Sequence, residues 1–391
     1  MTPELVVAVS LFANDRGTSG IGRYLKSVVS RLPAADPGVR LLLFVAREDL
    51  PVFAGFDERD GGRVRFVPVA DRWNSPPLSL LWHAFAFPRA AARAGASVIY
   101  LPAGNRRLVP FGALPTLAVV HDLSWLHMEG KYDLARELYL RRFLPWMIRR
   151  STRVVAISES TERDLVALAH CPAARITRVG NGFDATVFHP RDAGASRREL
   201  AAAGLELPPR FLLYVSRLEH PGKNHVGLLR AYRRLLDRRP DFPDDLVFAG
   251  GRWNGAEAVD RALAELGLES RVHRLGFVAD EHLPHLYATA RGLVFPSLFE
   301  GFGLPILEAQ ACGLPVAGSA LSSIPEVIGD AGLLFDPHDP DEIAAAIERL
   351  ATDDARRSEM IDRGLANARR HTWEATAAAT ARLLREIAGA S

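Results

Sequence analysis

The residues of clearest chemical character in this 391-residue chain are charged side chains set in glycine-rich turns. In the run Glu300-Gly-Phe-Gly-Leu-Pro-Ile-Leu-Glu308, Pro305 suits the first turn of a helix, which makes Gly301, Phe302, Gly303 and Leu304 the helix entrance. Unpaired backbone N–H groups and the positive end of the helix dipole favour an anion there, and the glycines let a ligand approach the backbone. Glu308 falls about one turn into the helix and Glu300 just before it, so both carboxylates can face one ligand. Carboxylates repel phosphate, so hydroxyl pairs are their natural targets. Two glutamates at this spacing also arise as cap and surface residues, but the Gly-Phe-Gly-Leu-Pro insert favours a binding site.

A second loop reads Ser216-Arg217-Leu-Glu-His-Pro-Gly-Lys223-Asn224. Two cations six residues apart, at a strand end that leads into a helix, can clamp a diphosphate and stabilise it as it departs, in place of a metal ion. An exposed basic turn is the plain alternative. Of the 48 basic residues only Lys26, Lys131 and Lys223 are lysines, which favours a specific use for the Lys223 ammonium. Gly20-Ile-Gly22-Arg23-Tyr24 forms a third glycine turn; Leu25 stands where a dinucleotide fingerprint needs its third glycine, so a tight turn explains it equally. His121-Asp122 closes a strand over 115–120, where a histidine would point from the strand end into a cleft or serve a structural role.

These loops need a scaffold of strands. The apolar run Leu5 to Phe12, the glycine turn and a helical pattern over 23–32 form one strand–loop–helix unit. Short Val/Leu/Ile runs at 39–46, 64–69, 97–101, 116–120, 153–157 and 175–179 alternate with helical stretches, the pattern of a parallel sheet with crossover helices. A stretch from about His189 to Arg210, containing Pro208-Pro209, reads as the domain boundary. The alternation restarts at Phe211 to Ser216 and continues through 245–250, 272–275, 293–295 and 315–317. The expected fold is therefore α/β, two doubly wound Rossmann-like domains facing a cleft. We place them at 1–195 and 196–371, with a final helix, 372–391, crossing back to the first.

Composition narrows the class. The formal net charge is +2, which excludes a protein held on nucleic acid by bulk charge. Residues 1–200 carry 27 basic against 19 acidic side chains and the remainder 21 against 27, so the first half is the one suited to an anionic surface. No apolar run reaches the roughly 18 residues of a membrane span, no signal peptide is read, and Cys171 and Cys312 fit a reducing, cytoplasmic setting. Asp339-Pro-Asp341 resembles a metal-binding D-x-D but reads better as a helix N-cap with Pro at N1. No Walker A, serine-hydrolase elbow or zinc spacing is present, so no metal site and no cofactor is expected.

Together these residues resemble a known family. The Glu300 to Glu308 run looks like the E-x7-E signature of the large retaining glycosyltransferase family 4, which has the GT-B fold. Arg217 and Lys223 match its R-x5-K diphosphate clamp, Gly20-Ile-Gly22 its N-terminal glycine loop, His121-Asp122 its cleft histidine and Asn181-Gly-Phe-Asp184 its loop before the linker. The resemblance implies that Glu308 binds ribose hydroxyls and Glu300 those of the donor sugar. It places the backbone of Phe302, Gly303 and Leu304 on sugar and phosphate, Gly22 on the diphosphate, and Phe277 and Val278 at the base. His121 would approach the reacting carbon. Transfer would retain configuration and need no metal, by front-face attack without a covalent glycosyl-enzyme.

The implied partners are a nucleotide-diphosphate sugar and a glycan or lipid-linked saccharide acceptor, with Tyr24, Asn105, Asp122 and the 122–132 loop at the acceptor. His121-Asp-Leu-Ser-Trp125 and Ser216-Arg-Leu-Glu219 look like bacterial polysaccharide mannosyl- and hexosyltransferases, which favours GDP-mannose over UDP-hexoses and dTDP-rhamnose. The basic, aromatic stretch 136–150 has two readings: a face resting on an anionic membrane, at the inner side of the plasma membrane, or a crossover helix packing Leu138, Phe143 and Met147 inward. Rival functions are a nucleotide-sugar epimerase, a phosphorylase and a non-catalytic scaffold of the same fold. A dehydrogenase lacks the third glycine, and Ala46-Arg47 precedes Glu48 where an acidic residue should follow the second strand.

Overall fold

The computed structural model describes residues 3–17, 19–56, 62–127 and 138–389. Lys131, part of the 122–132 loop and the first two residues of the 136–150 stretch lie outside them. The chain forms two compact units, Met1–Gly182 with Trp373–Ser391, and Phe183–Thr372. The junction thus falls after Gly182 rather than at 195, because Phe183 pairs with Thr372 and the Phe188 ring meets that of Tyr287 (centroids 6.1 Å apart), inside the second unit.

The first unit holds a parallel sheet ordered β3-β2-β1-β4-β5-β6-β7. Its strands are β1 (Leu5–Ser10), β2 (Val39–Ala46), β3 (Val64–Val69), β4 (Val98–Leu101), β5 (Thr116–Val120), β6 (Arg153–Ala156) and β7 (Ile176–Arg178). β1, β4 and β5 are almost wholly buried, which is why they read as near-continuous apolar runs. Phe12, Phe44, Trp82 and Phe87 pack one face, with Trp82 stacked between Phe12 (4.7 Å) and Phe87 (4.9 Å).

The second unit repeats the plan in a sheet ordered β10-β9-β8-β11-β12-β13. These strands are β8 (Phe211–Val215), β9 (Asp245–Ala249), β10 (Val272–Gly276), β11 (Gly292–Phe295), β12 (Val316–Ser319) and β13 (Gly332–Phe335). All pairings are parallel, and strand order reverses between β8 and β11. Such a reversal leaves a crevice at the carboxyl ends of the two strands, where ligands bind in open α/β sheets. Asp339 caps the helix Pro340–Thr352 through its side chain, with Pro340 in the first turn, as its sequence implied.

The helix Trp373–Ala388 belongs to the first unit. Trp373, Ala377, Thr380, Ala381 and Leu384 share its buried face at helical spacing. Thr376 Oγ1 donates to the Gly180 carbonyl (2.8 Å), and Arg385 grips Asp36, which lowers the Asp36 pKa. Under this helix Tyr24 is fully buried, its hydroxyl 3.1 Å from that of Tyr100 and its ring against Trp373. Burial pushes the Tyr24 phenol up to about 12. Tyr24 is therefore a core residue with no surface for an acceptor, contrary to expectation.

Burial holds three histidines neutral, His83 and His225 at a pKa of about 3 and His121 at about 4. The His83 Nδ1–H donates to the Ser79 carbonyl (2.6 Å), leaving Nε2 to accept from the Ser10 hydroxyl (2.8 Å). An unfolded histidine titrates near 6.5, so below that pH the unfolded chain binds more protons than the folded one. Stability is therefore unaffected above about pH 6.5 and falls as pH drops toward 4, by about 2 kcal/mol per histidine at pH 5. Thermal unfolding across this range is expected to show the loss, with a shallower slope in His83→Asn. Identical slopes would remove this imidazole as a cause.

Candidate functional site

At the carboxyl edge of the second sheet the loops after β8, β9, β10 and β11 lie side by side, as the strand order requires. The loop after β8 runs beside the segment after β9. Ser216 N bonds Ala249 O (2.9 Å), Leu218 N bonds Gly251 O (2.9 Å), Trp253 N bonds Leu218 O (3.0 Å) and His220 N bonds Asn254 O (3.1 Å). This ladder holds Arg217 in a defined backbone. Its half-exposed side chain lies over the Trp253 ring, Cζ 4.6 Å from the centroid, with Glu219 Oε2 3.7 Å from Nη2.

Lys223 closes the same loop. Its Nζ donates to Glu300 Oε1 at 2.8 Å, both side chains being mostly buried. The ion pair thus spans the β8/β11 reversal. Tyr214, near the end of β8, donates its hydroxyl to the Lys223 carbonyl (2.7 Å) and lies 2.9 Å from Ser297 Oγ. Leu298 N bonds the Gly222 carbonyl (2.9 Å), a further tie between the two loops. Burial, reinforced by the charge of Glu300, pushes the Tyr214 phenol well up, so it stays a neutral donor.

The glycine run enters the helix Leu304–Ala311 with Gly303 as cap at φ +103, a conformation that favours glycine, and Pro305 in the first turn. Ser323 Oγ lies 2.9 Å from the carbonyls of both Glu300 and Phe302, which share its one proton, and Ser322 Oγ accepts from Glu300 N (3.1 Å). Ser322 itself sits at φ +59, a strained position for a non-glycine residue. Glu308 is buried and accepts from the Tyr287 hydroxyl (2.9 Å). After β10, Val278 is buried whereas Phe277 is 69% exposed, an aromatic face open to a planar ligand.

Within the first unit the expected residues behave differently. The helix Gly20–Val29 starts three residues before position 23, so Gly20 and Gly22 stand in its first turn rather than in a loop. The Gly22 N–H already donates to Ser19 Oγ (3.1 Å), and a Cβ there would lie 2.4 Å from Asn14 O. Close packing on the chain's own turn thus explains this glycine, and its amide is not free for a phosphate. His121 is 5% exposed, not directed outward: its Nε2–H donates to the Pro102 carbonyl (2.7 Å) and its ring meets Tyr24 edge-on. Asp122 accepts from Ser124 N and Oγ. Asn105 is half-buried, and its shielded Oδ1 has no hydrogen-bond partner among the described residues.

Residues 18–187 match the sequence profile of Glycosyltransferase Family 4, and residues 196–366 that of Glycosyl transferases group 1. The chain is 33% identical over 368 residues to O-antigen chain mannosyltransferase B of Escherichia coli, covering 91% of this chain and 93% of that protein. The chain belongs to the family 4 glycosyltransferases. It is also 31% identical over 284 residues to the serotype-specific mannosyltransferase WbdA of Escherichia coli, and spans 34% of that protein's length. The crystal structure of Anabaena HepE in complex with UDP and glucose shares the fold, with a TM-score of 0.71 over 97% of this chain and 98% of that one at 20% identity.

In this glycosyltransferase the sequence located both cations and both glutamates but not their supports. Tyr214, Ser297, Ser322 and Ser323 carry no motif and read as strand or loop filler. Trp253 and Gly250 are likewise silent, although Gly250-Gly251 directly after a strand was an available signal for a close backbone approach.

Proposed function

We propose that this glycosyltransferase transfers mannose from GDP-mannose to a hydroxyl of a growing, lipid-linked bacterial polysaccharide, with retention and without a metal ion. The Lys223–Glu300 pair across the β8/β11 reversal carries the reading, since it sets a cation for the diphosphate against a carboxylate for sugar hydroxyls. The names of the two Escherichia coli relatives favour mannose. Glu308 would hold the ribose, Phe277 and Val278 the base, and the 302–304 backbone the sugar phosphate. As the bond from the anomeric carbon to the phosphate oxygen breaks, the acceptor oxygen bonds the same face and its proton passes to the departing phosphate. Arg217 and Lys223 neutralise the charge that develops, which is why no divalent ion is invoked.

Exposed Phe111, Phe143 and Trp146 in the first unit, with Arg150 over Phe111 and Trp146, support contact with an anionic membrane at its inner face. The helix Leu144–Arg150 buries Leu144 and Ile148 and packs Met147 against the core as expected, whereas Leu138 and Phe143, expected inward, are exposed. Among the described residues no helix is long and apolar enough to cross a membrane.

The test offers GDP-mannose, UDP-glucose and dTDP-rhamnose in chelator with a lipid-linked acceptor, alongside vesicle flotation. Acceptor-dependent consumption of GDP-mannose alone, abolished in Lys223→Ala, and co-flotation weakened by Arg142→Glu with Phe143→Ser are expected. Turnover without acceptor would point to an epimerase, and a strict need for Mg²⁺ would end the metal-free scheme.

A further inference from the structure

Arg217 raises a physical problem. It is half exposed on a loop, and a free arginine loses much rotamer freedom when it fixes a ligand. One neighbour is the carboxylate of Glu219, 3.7 Å from Nη2, which attracts the guanidinium but repels an incoming phosphate. The other is Trp253, half exposed, with its ring 4.6 Å from Cζ. A ring engages the flat face of a guanidinium, whereas the N–H donors lie in the guanidinium plane. A ring 4.6 Å from Cζ orders the cation through its face, adds no competing negative charge and takes up none of the in-plane N–H donors that phosphate oxygens need. The backbone at Trp253 is fixed beside Arg217, because its main-chain N–H donates to the Leu218 carbonyl (3.0 Å) and Leu218 N donates to Gly251 O (2.9 Å).

We propose that Trp253 is a positioning residue of the donor site, holding Arg217 ready for the diphosphate of the nucleotide sugar. This rests on the donor-site reading above. It accounts for a large aromatic side chain left exposed beside the clamp, and it gives this chain a feature that the cation spacing alone does not specify.

The experiment measures GDP binding by calorimetry, in chelator, for wild type, Trp253→Phe, Trp253→Leu, Trp253→Ala and Arg217→Ala, and for Trp253→Ala combined with Arg217→Ala. Binding about five- to thirtyfold weaker is expected in Trp253→Ala and Trp253→Leu, with Trp253→Phe within about threefold of wild type. In the Arg217→Ala background, Trp253→Ala should have no further effect. Wild-type affinity in Trp253→Leu, or an undiminished effect of Trp253→Ala without Arg217, would overturn the proposal. Absence of GDP, UDP and dTDP binding by wild type would instead overturn the donor-site reading itself. Intrinsic Trp emission in Arg217→Met, read without nucleotide, tests the stack independently, and emission unchanged from wild type would count against it.

Discussion

Glu300→Gln is expected to bind free nucleoside diphosphate about tenfold more tightly than wild type while its transfer rate falls by about 10²-fold or more. The Lys223 ammonium is held by Glu300 at 2.8 Å, in a largely buried pair. A diphosphate must take that cation from the carboxylate and then sit beside the carboxylate it has displaced. With a sugar attached, the freed carboxylate finds hydroxyls; with the bare product it finds none. Glutamine keeps the shape and removes the competing charge, so the product gains and the reacting sugar loses. Calorimetry with GDP and steady-state transfer, on one preparation, check the two opposite changes. GDP binding that is unchanged or weaker in the variant would mean that the pair does not compete with phosphate. Lys223→Ala should instead lose both affinity and rate.

Gly250→Ala should lower stability by about 1–3 kcal/mol and cut kcat/KM at least about tenfold. A Cβ at position 250 would lie 2.0 Å from the Ser216 carbonyl oxygen and 2.9 Å from Arg217 N. Both are backbone atoms in a hydrogen-bonded ladder, so relief requires the Arg217 loop to move. Urea unfolding and the transfer assay measure the two effects, and a variant with wild-type values in both would show that the edge of β9 yields without disturbing β8. The same two strand ends carry Arg217 and Trp253, so a shift here reaches the clamp directly.

The sheets were legible because parallel strands buried on both faces are near-continuous apolar runs, as in Val7 to Val9 and Leu41 to Ala46. The arrangement of the candidate site was legible where special backbone conformations and rare residues coincide, as in the Gly303-Leu304-Pro305 helix entrance and the scarce lysine at 223, which pairs with Glu300. Two kinds of error have physical causes. Gly20 and Gly22 read as a loop because glycine disfavours helices, yet the Ser19 cap and the tight turn at Asn14 override that propensity. Tyr24 carries a polar group that periodicity cannot place, and only the packing of Tyr100 and Trp373 shows it turned into the core, while the bond to the Pro102 carbonyl gives His121 the structural role the sequence had left open. Supports such as Tyr214 and Ser297 depend on contacts 83 residues apart in the chain, which no local pattern encodes.

The helix Trp373–Ala388 has a consequence for biosynthesis. The second unit, Phe183–Thr372, contains all of its residues before this helix is made, whereas the first cannot cover Tyr24 and Tyr100 until the helix has left the ribosome. Since domains generally fold as units during synthesis, the second unit can mature while the first is still waiting for this helix. A released chain that ends at residue 372 should thus display a protease-resistant later half and a susceptible earlier one, the reverse of the order in which they were translated.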